Sequence, residues 1–204
     1  MNTENKNIVN WERNCQSFSE IQQAGEYFIS AGDYASAHDC FEKAAELNPD
    51  SAEPYVGLGL MELQKGNPDS AEIAFRVACR LEPKCDKAYS GLAAAAQKKG
   101  DYEKAFEMYL KCLELNINNM TALLGLFQTS CQMGSFAKVI HYLELYLKMQ
   151  PDDCSVMFAL AVLYVRENKF ESAQKILTNI LQLDPANEDA VNLLEEVEHN
   201  LTSK

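Results

Sequence analysis

Gly32, Gly66, Gly100 and Gly134 are each 34 residues from the last, and Asn168 takes the next place in the series. A fixed period of this size is the mark of a solenoid, in which one small unit stacks on copies of itself to bury a core. The register holds well beyond the glycine. Five residues on lie Ala37, Ala71, Ala105, Val139 and Ala173, and nine on lie Phe41, Phe75, Tyr109, Leu143 and Leu177. Twelve on come Ala44, Ala78, Cys112, Tyr146 and Ile180, and seventeen on Pro49, Pro83, Ile117, Pro151 and Pro185. Upstream, seven before the turn residue, stand Gly25, Gly59, Ala93, Phe127 and Ala161.

Each position has a physical reason. The turn residue ends a first helix in a left-handed conformation, which Gly tolerates best and Asn next. Small residues seven before and five after let two helices approach closely, while large apolar residues at helical spacing fill the space between them. The proline closes the unit because it cannot continue a helix. On these residues the pattern resembles the tetratricopeptide repeat, a helix–turn–helix of 34 residues. The resemblance implies an all-α, right-handed superhelical solenoid of five helix hairpins, over residues 18–51, 52–85, 86–119, 120–153 and 154–187. Residues 188–204 keep only the first-helix pattern, through Val191, Leu194 and Val197, and read as the polar capping helix that a terminal repeat needs. Residues 1–17 stand outside the period. Ile8, Trp11, Cys15 and Phe18 have the spacing of a short amphipathic helix, and "SFSE" (17–20) reads as a capping box that starts the first hairpin.

Three departures meet at the joint between the third and fourth repeats. Phe127 stands where Gly or Ala is usual, Val139 where Ala is usual, and Ile117 where Pro is usual. Bulk inserted into a close helix contact costs about 1–3 kcal/mol unless the backbone adjusts, and Gly125 offers one place for adjustment. Local drift and a bend that reshapes the inner surface both fit these residues.

Composition narrows the partners. The formal net charge is −12, with 18 Lys+Arg against 30 Asp+Glu, which disfavours nucleic acid and anionic membranes. Both ends are acidic, while residues 52–187 are nearly balanced. The longest apolar run, "FALAVLYV" (158–165), is too short for a membrane span, and the N-terminus lacks a basic start followed by an apolar run. Seven cysteines without a C-x-x-C pair fit free thiols in a reducing cytoplasm. The sequons "NMT" (119–121) and "NLT" (200–202) then have no expected role.

A catalytic reading finds little. His38, His141 and His199 lie in separate repeats, and no H-E-x-x-H, phosphate loop or dinucleotide-binding glycine motif occurs. Cysteines at core positions such as Cys112 act as small apolar residues. No enzymatic activity and no cofactor or metal are expected.

The remaining surface is the concave groove. In the family it resembles, first helices line that groove ten, six and three residues before the turn. Here those residues are Gln22, Glu26 and Ile29; Val56, Leu60 and Leu63; Ser90, Ala94 and Gln97; Leu124, Gln128 and Cys131; and Phe158, Val162 and Val165. One subclass, resembling heat-shock co-chaperones, clamps a C-terminal carboxylate with Lys, Asn and Arg. Lys87 is the sole basic residue near such a place and Gly91 stands where the Arg would be, so the clamp is absent. The apolar groove residues instead predict a protein or peptide partner with apolar anchors, with Leu124 and Phe158 facing one concavity outside the interhelix core. Two functions fit. One is a non-enzymatic adaptor or scaffold, possible as a homo-oligomer in which an N-terminal docking segment (Ile8, Trp11) enters a groove, as in magnetosome-associated relatives. The other is a cytosolic chaperone for a secreted or membrane-destined client, resembling type III secretion chaperones.

Overall fold

The computed structural model describes residues 17–202, and every regular element among them is helical. The N-terminal docking residues Ile8 and Trp11 lie outside the described residues. The chain divides between Leu115 and Asn116 into two compact units, and this boundary falls in the joint where the sequence departs from its own period.

The first unit holds three hairpins: α1 (Phe18–Ser30) with α2 (Tyr34–Leu47), α3 (Glu53–Gln64) with α4 (Pro68–Leu81), and α5 (Asp86–Lys98) with α6 (Tyr102–Leu115). The capping box is present at its start. Ser17 Oγ accepts from the Glu20 N–H while the Glu20 carboxylate accepts from the Ser17 N–H. The first helices break at the predicted turn residues. Gly32, Gly66 and Gly100 have φ of 76°, 82° and 79°. Beyond each, a backbone N–H reaches back to close the helix end: Asp33 donates to the Phe28 carbonyl at 2.9 Å, Asn67 to Glu62 at 2.9 Å and Asp101 to Ala96 at 3.0 Å.

Two aromatic rings organise this unit. Phe41 and Phe75 come from second helices and are fully buried. A methyl group on Gly25 would sit 2.7 Å from the Phe41 ring, and one on Gly59 would sit 2.6 Å from the Phe75 ring. Gly57 and Gly91 press on the same two rings from the next first helix. Each ring is thus clasped between glycines of successive first helices, α1 and α3 for Phe41, α3 and α5 for Phe75. That clasp sets the first helices side by side and aligns their other faces on one surface.

A charge hub ties the second hairpin to the third. Glu72 on α4 accepts from Lys104 Nζ at 2.7 Å, Arg76 at 2.6 Å and Lys99 Nζ at 3.1 Å, and Lys99 also reaches Asp69 at 2.6 Å. The hydrogen bond from Lys104, joined by those from Arg76 and Lys99, outweighs burial and holds the Glu72 carboxyl down at about 2.

The second unit holds α7 (Met120–Met133) with α8 (Ala137–Met149), α9 (Cys154–Arg166) with α10 (Phe170–Leu183), and α11 (Glu188–Thr202). Gly134 has φ of 65° and Asn168 φ of 56°, so all five turns are left-handed; Asn168 is the one non-glycine with positive φ among the described residues. Side-chain caps start the first helices, with Asn119 Oδ1 accepting from the Ala122 N–H and Asp153 Oδ1 from the Val156 N–H. Ala161, Leu177, Ile180, Ala190 and Val197 form the core of α9–α11. The terminal helix buries Ala190 and Val197 and leaves Glu195, Glu196 and Glu198 exposed, as a solubilising cap requires. The α7–α8 hairpin is the most sparsely packed of the five. There Phe127 is half-buried in the place of a small residue, and Leu143 stands where the first unit has an aromatic ring.

Candidate functional site

Each unit carries a cleft on its first-helix face. In the first unit it has a volume of about 570 Å³ and lies between α1, α3 and the segment joining α4 to α5. Gln22, Glu26, Val56, Leu60 and Lys87, all named from the sequence, line it. Phe18, Glu53, Glu82, Lys84 and Asp86, which the sequence reading missed, are among the other residues that line it. Leu60 is 43% exposed, whereas Val56 is buried and shared with the core beneath. Leu63 packs against that same core, Ser90 is buried and Ala94 is half-buried, and none of the three lines the cleft.

The second unit's cleft, about 460 Å³, lies between α7, α8 and α9 and is almost wholly apolar. Its walls are Met120, Leu124, Phe127, Leu143, Val156 and Ala159, with Thr121 and Ser155 at the edge. Leu124 is 58% exposed and Met120 44%, a large apolar surface to leave in water. Of the groove residues predicted for this unit, Leu124 alone lines the cleft. Gln128 is exposed and Val162 half-buried. Phe158 and Val165 pack against the core of the fifth hairpin and terminal helix. Phe158, half-buried, thus touches the interhelix core and does not line the cleft beside Leu124. The signal that could have found the cleft was Phe127, whose bulk marks the place where the usual close packing gives way.

The three histidines are dispersed. His38, His141 and His199 are exposed on α2, α8 and α11. Burial pushes the Cys79 thiol up to about 11 and that of Cys112 to about 12, and it also raises Cys85, so these sulfurs stay protonated and act as packing atoms. No helix among the described residues is long and apolar enough to cross a membrane.

Models of the tetratricopeptide repeat match residues 23–84, 86–119 and 156–195, and these stretches together cover most of the chain. The chain belongs to the tetratricopeptide repeat family. No curated protein sequence matches it. Among solved structures, it is similar to PilF of Pseudomonas aeruginosa, with a TM-score of 0.70 at 20% identity over 91% of this chain and 84% of that one. It is also similar to YrrB, described as a TPR protein with an unusual peptide-binding site, with a TM-score of 0.62 at 19% identity over 94% and 97%. MamA aligns with a TM-score of 0.65 at 19% identity over 82% and 92%. Likeness at this level of identity establishes the tetratricopeptide fold, which is a protein–protein interaction fold.

Proposed function

We propose that this tetratricopeptide protein is a non-enzymatic adaptor that holds a partner by an apolar segment seated in the α7–α9 cleft. The observation that carries this reading is the exposure of Leu124 and Met120 at the mouth of a cleft walled by Phe127, Leu143 and Val156. Burying two or three partner side chains there contributes on the order of 4–8 kcal/mol, of which association entropy offsets a large part. Micromolar affinity is the expected scale. The acidic surface keeps nucleic acid and anionic membranes away and leaves proteins as the partners.

The test is a photo-crosslinking residue at position 124, compared with Leu124→Glu. The crosslinker should mark an apolar segment of the partner, and Leu124→Glu should abolish capture while leaving the helical content unchanged, since a charge against an apolar ligand is costly to desolvate. Sedimentation separates the modes of action. A self-assembling scaffold loses its oligomers with Leu124→Glu, and also on removal of residues 1–17. A chaperone for a secreted or membrane-destined client keeps its assembly state in both variants and loses only the client. Undiminished capture by Leu124→Glu would remove the cleft from consideration.

A further inference from the structure

The two walls of the α7–α9 cleft are held with different firmness. α8 and α9 are fastened to each other by side-chain hydrogen bonds. Tyr164 Oη on α9 donates to Glu144 Oε1 on α8 at 2.5 Å, and Tyr146 Oη on α8 donates to Asp153 Oδ2 at 3.1 Å. Asp153 is also the residue that caps α9, so the second bond ties α8 to the start of that helix. Leu143, Val156 and Ala159 stand on this fastened pair. Facing them, Met120, Leu124 and Phe127 stand on α7, which packs only sparsely against α8.

α7 is also built to bend. Thr129 Oγ1 donates to the Gly125 carbonyl at 2.7 Å, and Ser130 Oγ donates to the Phe127 carbonyl at 2.7 Å. A hydroxyl that bonds back to the preceding turn shares a carbonyl with the helix ladder, which weakens the ladder and bends the helix there. Gly125 lies in the same stretch and adds the backbone freedom that weakens a helix interior. The two halves of α7 meet different surroundings. Leu126, Thr129 and Ser130 are fully buried, while Met120 and Leu124 are exposed. Ala122 and Leu123, buried in the N-terminal half, limit any swing to a small angle.

We propose that α7 is a movable jaw of the apolar cleft. Its N-terminal half, residues 120–124, swings about the Gly125–Ser130 stretch toward the fastened α8–α9 wall and closes on an apolar occupant. The proposal rests on the reading of this cleft as a partner site and adds how that site is regulated. Closure covers Met120 and Leu124, so an occupant shifts the jaw by the apolar surface it buries against them. With the cleft unfilled, Leu124 has no atoms to close on and the jaw samples open positions.

Hydrogen exchange on the full chain tests the hinge first, without any ligand. Residues 124–128 of α7 and 158–162 of α9 lie equally far from the starts of their helices, so the two stretches can be compared directly. The α7 amides should exchange about tenfold faster or more. Thr129→Val combined with Ser130→Ala removes both hydroxyls and touches no wall of the cleft, and it should slow exchange over 124–128 severalfold. The occupant is then represented by the apolar fluorophore 8-anilinonaphthalene-1-sulfonate. It should bind the wild type, protect 124–128 from exchange, and lose both effects in Leu124→Glu. Equal exchange of the two stretches in the free protein overturns the jaw, and so does a folded double variant that exchanges as fast as wild type. If the double variant does not fold, the wild-type comparison decides alone. Fluorophore binding that Leu124→Glu abolishes but that leaves 124–128 unprotected overturns the jaw and keeps the cleft. Binding that is absent, or that survives Leu124→Glu, overturns closure through failure of the cleft reading, and the ligand-free exchange tells that failure apart from failure of the hinge.

Discussion

The first unit and the fourth repeat, at the start of the second unit, solve the same packing problem with opposite placements of bulk. In the first, the large residue comes from the second helix, Phe41 or Phe75, and glycines on two first helices make room for it. In the fourth repeat the ring has moved to the first helix as Phe127, and the second helix supplies the smaller Leu143. Both side chains line the apolar cleft. An exchange of large for small across this hairpin leaves it the most sparsely packed of the five and brings a ring and its neighbours to the first-helix surface. The first unit, whose rings are clasped within, offers instead a cleft of carboxylates and lysines. Position of bulk within the hairpin thus decides which chemistry each unit shows to a partner.

The comparison can be broken by mutation, and the largest effect belongs to the clasped rings. Phe75→Ala should cost about 3–5 kcal/mol, since the ring is fully buried between two helices. Phe127→Ala should cost about half as much because its ring is only half-buried, and it should weaken partner binding at the α7–α9 cleft. Chemical denaturation gives both values, and equal losses would mean that the two placements are energetically alike.

Next in size is Gly91→Ala. The added methyl would run into the Phe75 ring, and the overpacking of about 1–3 kcal/mol should exceed the gain in helix propensity of about 1 kcal/mol. A more stable Gly91→Ala would show that the ring has room to shift.

Acid should distinguish the units less strongly. Glu72 has its folded pKa held below the ordinary carboxylate range, at about 2, so its contribution is present above the unfolded value and is lost as the pH falls toward 2. Glu72→Gln should therefore be less stable than wild type at neutral pH, by on the order of 1 kcal/mol for a largely exposed network, and the difference should vanish across that window. A gap that persists at pH 2 would assign the loss to packing instead of charge. The smallest effect is expected at the fifth turn. Asn168→Gly should stabilise by a few tenths of a kcal/mol to about 1 kcal/mol, since Asn tolerates its left-handed φ less well than Gly. A loss on thermal melting would mean that the Asn side chain has a role beyond its backbone.

The period, the five left-handed turns, the capping box and the polar terminal helix were legible in the chain because each rests on a local rule. Backbone sterics pick Gly or Asn for the turn, and spacing picks the buried face of each helix. The surface was legible only in part. Ten, six and three residues before the turn are fixed places on a helix, but their exposure depends on what the neighbouring helix brings. Val56 joins the core of its hairpin, and Leu63 and Phe158 are half-buried against neighbouring cores, while Leu60 and Leu124 remain open to solvent. The reason is that burial is a property of pairs of elements. Sequence spacing determined which residues share a helix face, and tertiary packing, through Phe75 against Gly91 and Phe127 beside Leu143, decided which of those faces closed and which stayed available to a partner.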